Sequence, residues 1–330
     1  MDLNKKYKKF IKILKLIQII KRKYKKRIWK TKTKIKTSKA LSKKNKLILF
    51  LISFIIIIIS TKFVLKRKAF DEFKSHKVFI EAHQGFNPEI FQNSKKSIIL
   101  AMKYGLDSFE TDVWLSKDKV LVLVHAGYMG NISLLYNANY NIINTNWNEL
   151  STVRTRKGSF PFPRLDEVMK LTKNKIFMNL EVKDPRCDLV FPEIIKLIVK
   201  YNYFEQISIS SFNHKYYTKI LEFNKNNKYG KKLVFGFLYG GGFNTKQYEY
   251  HKKYNSLNLF WTKITKEICQ KAHSNGMAVF AWISFGTKET YSIYKRLFDC
   301  GIDILCSNEP LKAKKFRYLY YRNIKYRTKL

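Results

Sequence analysis

Residues 94–113 read SKKSIILAMKYGLDSFETDV, and the order of patterns within them decides the fold. The amphipathic spacing predicts a helix over Ser94–Tyr104, Gly105 stands where a glycine stops a helix, and Ser108–Val113 follows as a strand. The unit then repeats. Strands are expected at Lys77–Glu81, Val120–Val124, Ile176–Val182, Gln206–Ser210, Leu233–Leu238, Leu257–Trp261, Met277–Ile283 and Asp303–Cys306. Helices are expected at Arg164–Thr172, Leu189–Lys200, Lys215–Phe223, Lys263–Ser274 and Lys288–Asp299, with Gly276 and Gly301 as further stops. Alternation of this kind over about 250 residues implies an α/β protein with a parallel sheet, and a closed (β/α)8 barrel of the TIM type fits the length. A doubly wound open sheet is the alternative, but no GxGxxG or phosphate loop follows the first strand.

A barrel of this kind carries its chemistry at the carboxyl ends of the strands. The first expected strand runs into Glu81-Ala82-His83-Gln84-Gly85. The second holds Glu110 and Asp112, two residues apart and so on one face. The run KVLVLVHAG delivers His125, and IFMNLEVKD ends in Glu181 and Lys183, again on one face. Three carboxylates are hard oxygen ligands suited to one Mg²⁺ or Ca²⁺ ion. Two histidines can divide general base and general acid duties at a phosphodiester. A lysine beside them can oppose the charge on the phosphate oxygens in the transition state. The four cysteines, Cys187, Cys269, Cys300 and Cys306, show no CxxC spacing and read as buried structural thiols.

The chain of 330 residues carries 65 Lys and Arg against 24 Asp and Glu, a net charge of +41. About twenty of the basic residues precede Asn45, where Asp2 is the only acid. Lys, Asn, Ile and Tyr are abundant throughout, a pattern that base-composition bias also produces. Residues 47–61 read LILFLISFIIIIIST, and with Lys62 snorkelling the apolar stretch reaches Leu65, close to the minimum for a bilayer span. No small-residue cleavage site follows it. The stronger basic flank before Leu47 places the N-terminus in the cytoplasm and the bulk of the chain on the luminal or extracellular side. The expected organisation is therefore a basic tail at 1–46, a transmembrane anchor at 47–65, a linker at 66–76, a catalytic barrel at 77–312 and a basic tail at 313–330. The first tail mixes apolar and basic residues at near-helical spacing, which suits an amphipathic segment on anionic lipid. No nucleic-acid-binding module is recognisable, so a nucleic-acid partner is not expected.

The motifs resemble those of the glycerophosphodiester phosphodiesterases. HQG stands at 83–85, FQNS at 91–94, ETDVWLSKD at 110–118, VLVLVHA at 120–126 and LEVK at 180–183. PRLDEV at 163–168, SSFN at 210–213, AHSNGMAVFAWI at 272–283 and GIDILCSNEP at 301–310 extend the likeness over roughly residues 77–312. The resemblance implies Glu110, Asp112 and Glu181 as ligands of one divalent cation, His83 and His125 as the acid–base pair, and Lys183, Gln84 and Trp282 as substrate contacts. It further implies attack of the glycerol 2-hydroxyl on phosphorus, release of the alcohol, and opening of a cyclic phosphate by water. The expected substrates are glycerophosphodiesters or lysophospholipids. The sequence departs from the family pattern where Gln84 replaces an Arg, Gln92 a Glu, Ser94 a Thr, Ala126 an Asp, and Ser307-Asn308 a Thr-Asp. Charged neighbours of the six core groups have thus become neutral, which suggests a shifted substrate preference. A membrane-anchored pseudoenzyme or scaffold that binds anionic lipid is the alternative reading.

Overall fold

The computed structural model describes residues 77–86, 92–126, 130–131, 140–155, 160–243 and 255–327. Among these, nine strands form one sheet: β1 (Phe79–Ala82), β2 (Ser108–Leu115), β3 (Leu121–Leu123), β4 (Phe177–Val182), β5 (Ile207–Ser211), β6 (Val234–Tyr239), β7 (Ser256–Phe260), β8 (Ala278–Trp282) and β9 (Ile304–Ser307). Eight of them run parallel, and β1 pairs with both β2 and β9, so the sheet closes on itself as a barrel. The fold is the expected eight-stranded α/β barrel.

Among the described residues the rhythm breaks between β2 and β4. No helix separates β2 from the Val120–Val124 run, and that run becomes β3, which pairs antiparallel with the last residues of β2 instead of joining the ring. Expecting it as one more member of a parallel alternation was incorrect. The physical reason lies in the connection: the turn Ser116–Lys119 is too short for a crossover and instead makes a hairpin. Asp118 holds that turn by accepting from Ser116 Oγ at 2.6 Å, and Lys119 takes φ 64°. A satellite core of Trp114, Val122, Val124, Ile142, Leu150 and Phe162 packs under the hairpin.

Helix ends follow local chemistry. Helix α1 (Lys95–Lys103) is capped by Ser94, whose hydroxyl accepts from Ser97 N. Thr265 and Thr290 cap Lys266–Ser274 and Tyr291–Cys300 in the same way, so these helices start three residues later than periodicity alone suggests. Gly301 ends the second of them at φ 88°, a left-handed conformation that a side chain would strain. The main core lies between the outer faces of the strands and the helices, with Ile80, Phe109, Leu180, Ile209, Phe235, Leu257, Val279 and Leu305 all fully buried.

The chain does not end its packing at residue 312. Helix Pro310–Arg327 buries Ala313 and Phe316, and its Tyr321 hydroxyl accepts from Val78 N at 3.0 Å. Arg317 pairs with Asp107 and donates to Val78 O at 2.9 Å, which ties the helix to the amino ends of β1 and β2. The four cysteines are free thiols, three of them buried. The basic segment 1–46, the span at 47–65 and the linker at 66–76 lie outside the described residues. Among the described residues no helix is long and apolar enough to cross a membrane.

Candidate active site

Strand alternation and register place the carboxylates. Glu110 and Asp112 project inward from β2, and Asp112 is paired directly with Glu181 of β4. Oxygen atoms of Glu110, Asp112 and Glu181 lie within 4.8 Å of one another, and all three residues are buried. Burial and the neighbouring Asp112 and Glu181 charges push the Glu110 carboxyl well above its usual range. Burial likewise pushes Glu181 to about 7, despite the nearby Lys183. Lys183 pairs with Glu181, and its Nζ lies 3.4 Å from Asp112 Oδ1. Burial disfavours its charge, but Asp112, Glu181 and Glu110 together hold it firmly protonated. One ammonium cannot balance three ionised carboxylates, and Glu110 Oε1 is buried without a hydrogen-bond partner. An all-oxygen, net anionic cluster with a spare acceptor fits a hard divalent cation.

The two histidines arrive by different routes. His83 follows directly on β1, whereas His125 is carried back to the mouth by the antiparallel strand β3, with Val124 N donating to Asp112 O at 3.1 Å. The buried neighbours Val124 and Ala126 set His125 on the satellite core. Ala126, where the family pattern has Asp, is thus part of an apolar contact. His83 Nδ1 lies 2.8 Å from Asn308 Oδ1, and Asn308 Nδ2 donates to Ile283 O and Ser284 O at 3.1 and 3.2 Å. Those two carbonyls fix the amide orientation, so Oδ1 must accept and Nδ1 must carry the proton. His83 Nε2 is then the lone-pair nitrogen, 3.9 Å from Glu110 Oε2. Burial lowers the His83 pKa to about 4, with the Asp112 charge opposing the shift. Phe285 stacks on the imidazole at a centroid distance of 4.5 Å.

Several supporting residues complete the site; of these Asn93 was legible in sequence as the retained Asn of the FQNS stretch at 91–94. Asn93, in the left-handed region at φ 57°, donates to Asp112 Oδ2 at 3.0 Å and accepts from Asp112 N and Thr111 Oγ1. Asp184 is fully buried, accepts from Leu115 N at 3.1 Å and pairs with Arg186 at 2.7 Å, which locks the end of β4 beside the extended end of β2. Glu289 accepts from Asn308 N at 2.6 Å and so holds the residue that holds His83. Asp184 carried a faint signal, since it follows Lys183 directly. Asn308 was visible only as a departure from a motif, and Glu289 had no signal in sequence because its partner lies 19 residues away.

All of the expected site residues except Asp112 line one cavity of about 190 Å³. Asp112 sits behind its wall, held by Asn93 and Lys183. Gln84 is buried and adopts φ 53°; its backbone N–H donates to Glu110 Oε2 at 2.9 Å, while its Oε1 has no hydrogen-bond partner. The adjoining Gly85 at φ 80° admits no side chain, because a Cβ there would stand 2.3 Å from Ser97 Oγ. Trp282 donates from Nε1 to Tyr239 O at 3.2 Å and meets Phe212 edge-on at 6.1 Å. Phe212 and Phe285 are exposed at the rim.

The chain matches the model of the glycerophosphoryl diester phosphodiesterase family over residues 83–312. It is 26% identical over 246 residues to the glycerophosphodiester phosphodiesterase of Caldanaerobacter subterraneus subsp. tengcongensis, covering 71% of this chain and 95% of that protein. Among solved structures, a phosphodiesterase from Oleispira antarctica in complex with the product sn-glycerol-3-phosphate superposes with a TM-score of 0.63 at 19% identity, covering 74% of this chain and 98% of the other. A glycerophosphodiester phosphodiesterase from Parabacteroides distasonis gives a TM-score of 0.61 at 20% identity over 74% of this chain and 98% of the other. These structures share the barrel, and the family match spans every residue of the site from His83 to Asn308. With the carboxylates, lysine and histidines gathered at one barrel mouth, the chain is a phosphoric diester hydrolase belonging to the glycerophosphoryl diester phosphodiesterase family.

Proposed function

We propose that this protein hydrolyses glycerophosphodiesters, releasing an alcohol from glycerol phosphate, with His83 and His125 as the proton-transfer pair. The observation that carries this reading is the convergence of Glu110, Glu181, Lys183, His83 and His125 on one cavity. Glu110, Asp112 and Glu181 would hold one divalent cation, Mg²⁺ or Ca²⁺, whose contribution when bound is to polarise the phosphoryl oxygens and orient the ester. Lys183, kept charged by its carboxylate neighbours, opposes the negative charge that grows on phosphorus.

The tautomer of His83 suggests how the duties divide. Its Nε2 lone pair takes the proton from the glycerol 2-hydroxyl as that oxygen bonds to phosphorus. The bond from phosphorus to the alcohol oxygen breaks, and His125 protonates the departing oxygen. Water then opens the cyclic phosphate with the roles reversed. Asn308 keeps Nδ1 protonated so that Nε2 remains the acceptor. Gln84 lacks the cationic fork of the Arg found in the family pattern, so phosphate here leans more heavily on Lys183 and the cation.

Lysophospholipids join the proposed substrates because the basic segment 1–46 and the apolar run 47–65 would hold the barrel at an anionic membrane. In that arrangement the N-terminus is cytoplasmic and the barrel luminal or extracellular. Asn131, in the sequon Asn131-Ile132-Ser133, is exposed and within hydrogen-bond reach of Asn141, so glycan occupancy there reports the topology. The catalytic reading is tested by assaying the full-length protein on glycerophosphocholine, glycerophosphoinositol and lysophospholipids with and without EDTA. Activity that is abolished by EDTA and falls at least about a hundredfold in Glu110→Ala and His125→Ala supports it. Activity indifferent to all three overturns it.

A further inference from the structure

The barrel interior directly beneath the carboxylates is polar, where the family of folds ordinarily stacks branched aliphatic side chains. Glu81, Ser108, Asn179, Ser208 and Asn258 all point inward there and all are buried. They are wired together: Ser108 Oγ donates to Glu81 Oε2 at 3.1 Å, Asn179 Nδ2 donates to Glu81 Oε1 at 3.1 Å, and Ser208 Oγ donates to Asn179 Oδ1 at 3.2 Å. Asn258 accepts from Ser256 Oγ at 3.0 Å, and it has room only because β6 presents Gly236, where a Cβ would stand 2.5 Å from its Nδ2.

This layer is the floor of the active-site cavity, not a sealed plug. Glu81, Asn179 and Asn258 line the same cavity as His83, Glu110 and Lys183, and so does Ser210, whose buried Oγ has no hydrogen-bond partner. Glu81 stands two residues before His83 on the same strand face, so the floor lies about 7 Å deeper than the histidine. The cavity runs from this polar floor up to the carboxylates and histidines. The exposed rings Phe212 and Phe285 line its rim, so a diester whose glycerol moiety faces the polar floor would carry its alcohol out past them.

We propose that Glu81 and its hydrogen-bonded neighbours form a subsite that accepts a hydrogen bond from the free terminal hydroxyl of the glycerol moiety, making Glu81 a specificity-determining residue. The inference rests on the phosphodiesterase reading of the site above. Ser108, Asn179 and the Cys306 thiol together take three of the four acceptor positions of the Glu81 carboxylate, which leaves one for a ligand. Burial raises this carboxyl to about 7 against three lowering hydrogen bonds, so one more donor favours its charged, stronger-accepting form. Ser210 supplies a further polar atom one inward-facing layer above Ser208, level with Glu181.

The test compares two chromogenic diesters, the p-nitrophenyl esters of glycerol phosphate and of propane-1,2-diol phosphate. Both keep the attacking 2-hydroxyl, and only the first has the terminal hydroxyl. Wild-type full-length protein is expected to favour the glycerol ester by roughly ten- to a hundredfold in kcat/KM, the worth of one hydrogen bond to a charged acceptor. Glu81→Leu should bring that ratio to within about threefold of unity, and Glu81→Gln, which keeps the layer filled, should lower it at least about fivefold. If the Leu variant does not fold, the Gln variant and the relative inhibition by the two free monophosphates carry the test. A wild-type ratio near unity, or the same ratio in wild type and every folded variant, overturns the subsite. Absence of turnover of both esters by wild type instead overturns the underlying phosphodiesterase reading.

Discussion

Replacing Asn308 with Asp should move the acid limb of the pH–rate profile upward. In the wild type, Asn308 Oδ1 accepts from His83 Nδ1 at 2.8 Å, and burial holds the imidazole near 4. A carboxylate in the same place, about 4 Å from the centre of the imidazolium charge, is worth about 4 kcal/mol at an effective dielectric of about 20. That corresponds to about three pKa units. Two features reduce the gain. The Asn308 amide donates to Ile283 O and Ser284 O, and Asp would turn both contacts repulsive. Glu289 already accepts from Asn308 N, so a second carboxylate meets a first. About half of the shift should survive, placing the His83 pKa at roughly 5–6. A base must be unprotonated to act, so kcat/KM falls as pH drops through this value, and the falling limb should begin about one to two pH units higher than in wild type. The assay is kcat/KM from about pH 4 to 9 with saturating divalent cation, paired with the ¹⁵N shift of the His83 ring. An Asn308→Asp variant that folds, shows a raised ring pKa and yet keeps the wild-type acid limb would refute His83 as the base.

Other perturbations give separate readouts. Glu81 and Glu181 titrate near 7 in the folded chain against 4.5 ordinarily, so the fold retains protons that the unfolded chain releases between those values. Their contribution is full below pH 4.5 and is lost as pH rises through 7, on the order of 3 kcal/mol each at most. Chemical denaturation in EDTA should therefore show stability falling over that window, and saturating Mg²⁺ or Ca²⁺ should remove the Glu181 part of the slope. Lys183→Met strips the cluster of its only bonded ammonium among the described residues and should cost about 3–5 kcal/mol in EDTA, with a smaller loss when divalent cation is present. Equal losses in both conditions would argue against cation binding by the carboxylates. Gly85→Ala places a Cβ 2.3 Å from Ser97 Oγ at φ 80° and should lower stability by about 3 kcal/mol, read by thermal denaturation. A near-neutral result would mean that the turn after β1 has another available geometry.

Strand–helix alternation made the barrel readable because each parallel strand must be followed by a crossover helix, which writes a local period into the sequence. Spacing of two along β2 and β4 likewise announced that Glu110 and Asp112, and then Glu181 and Lys183, share a face. The antiparallel return of β3 was not announced, because an apolar run reads the same in either direction and only the short Ser116–Lys119 turn hinted at a hairpin. The capping threonines Thr265 and Thr290 were available as local signals and would have placed two helix starts correctly. Helix Pro310–Arg327 was masked by its charge: its basic residues suggest a solvated tail, while Ala313, Phe316 and Tyr321 bind it to the barrel.

The feature that the sequence determined unaided is therefore the inventory of reactive groups and the face on which each would stand, since side-chain direction in a strand follows from backbone geometry alone. Tertiary structure decided which nitrogen of His83 is free, what holds it, and how deep the cavity runs. The tautomer depends on Asn308 and Glu289, brought to His83 from more than 200 residues away by closure of β9 onto β1. The polar floor depends on Glu81, Ser108 and Asn179 meeting across three strands, and on a glycine in β6 that makes way for Asn258. Such contacts have no sequence period, because they arise only when the ring of strands closes.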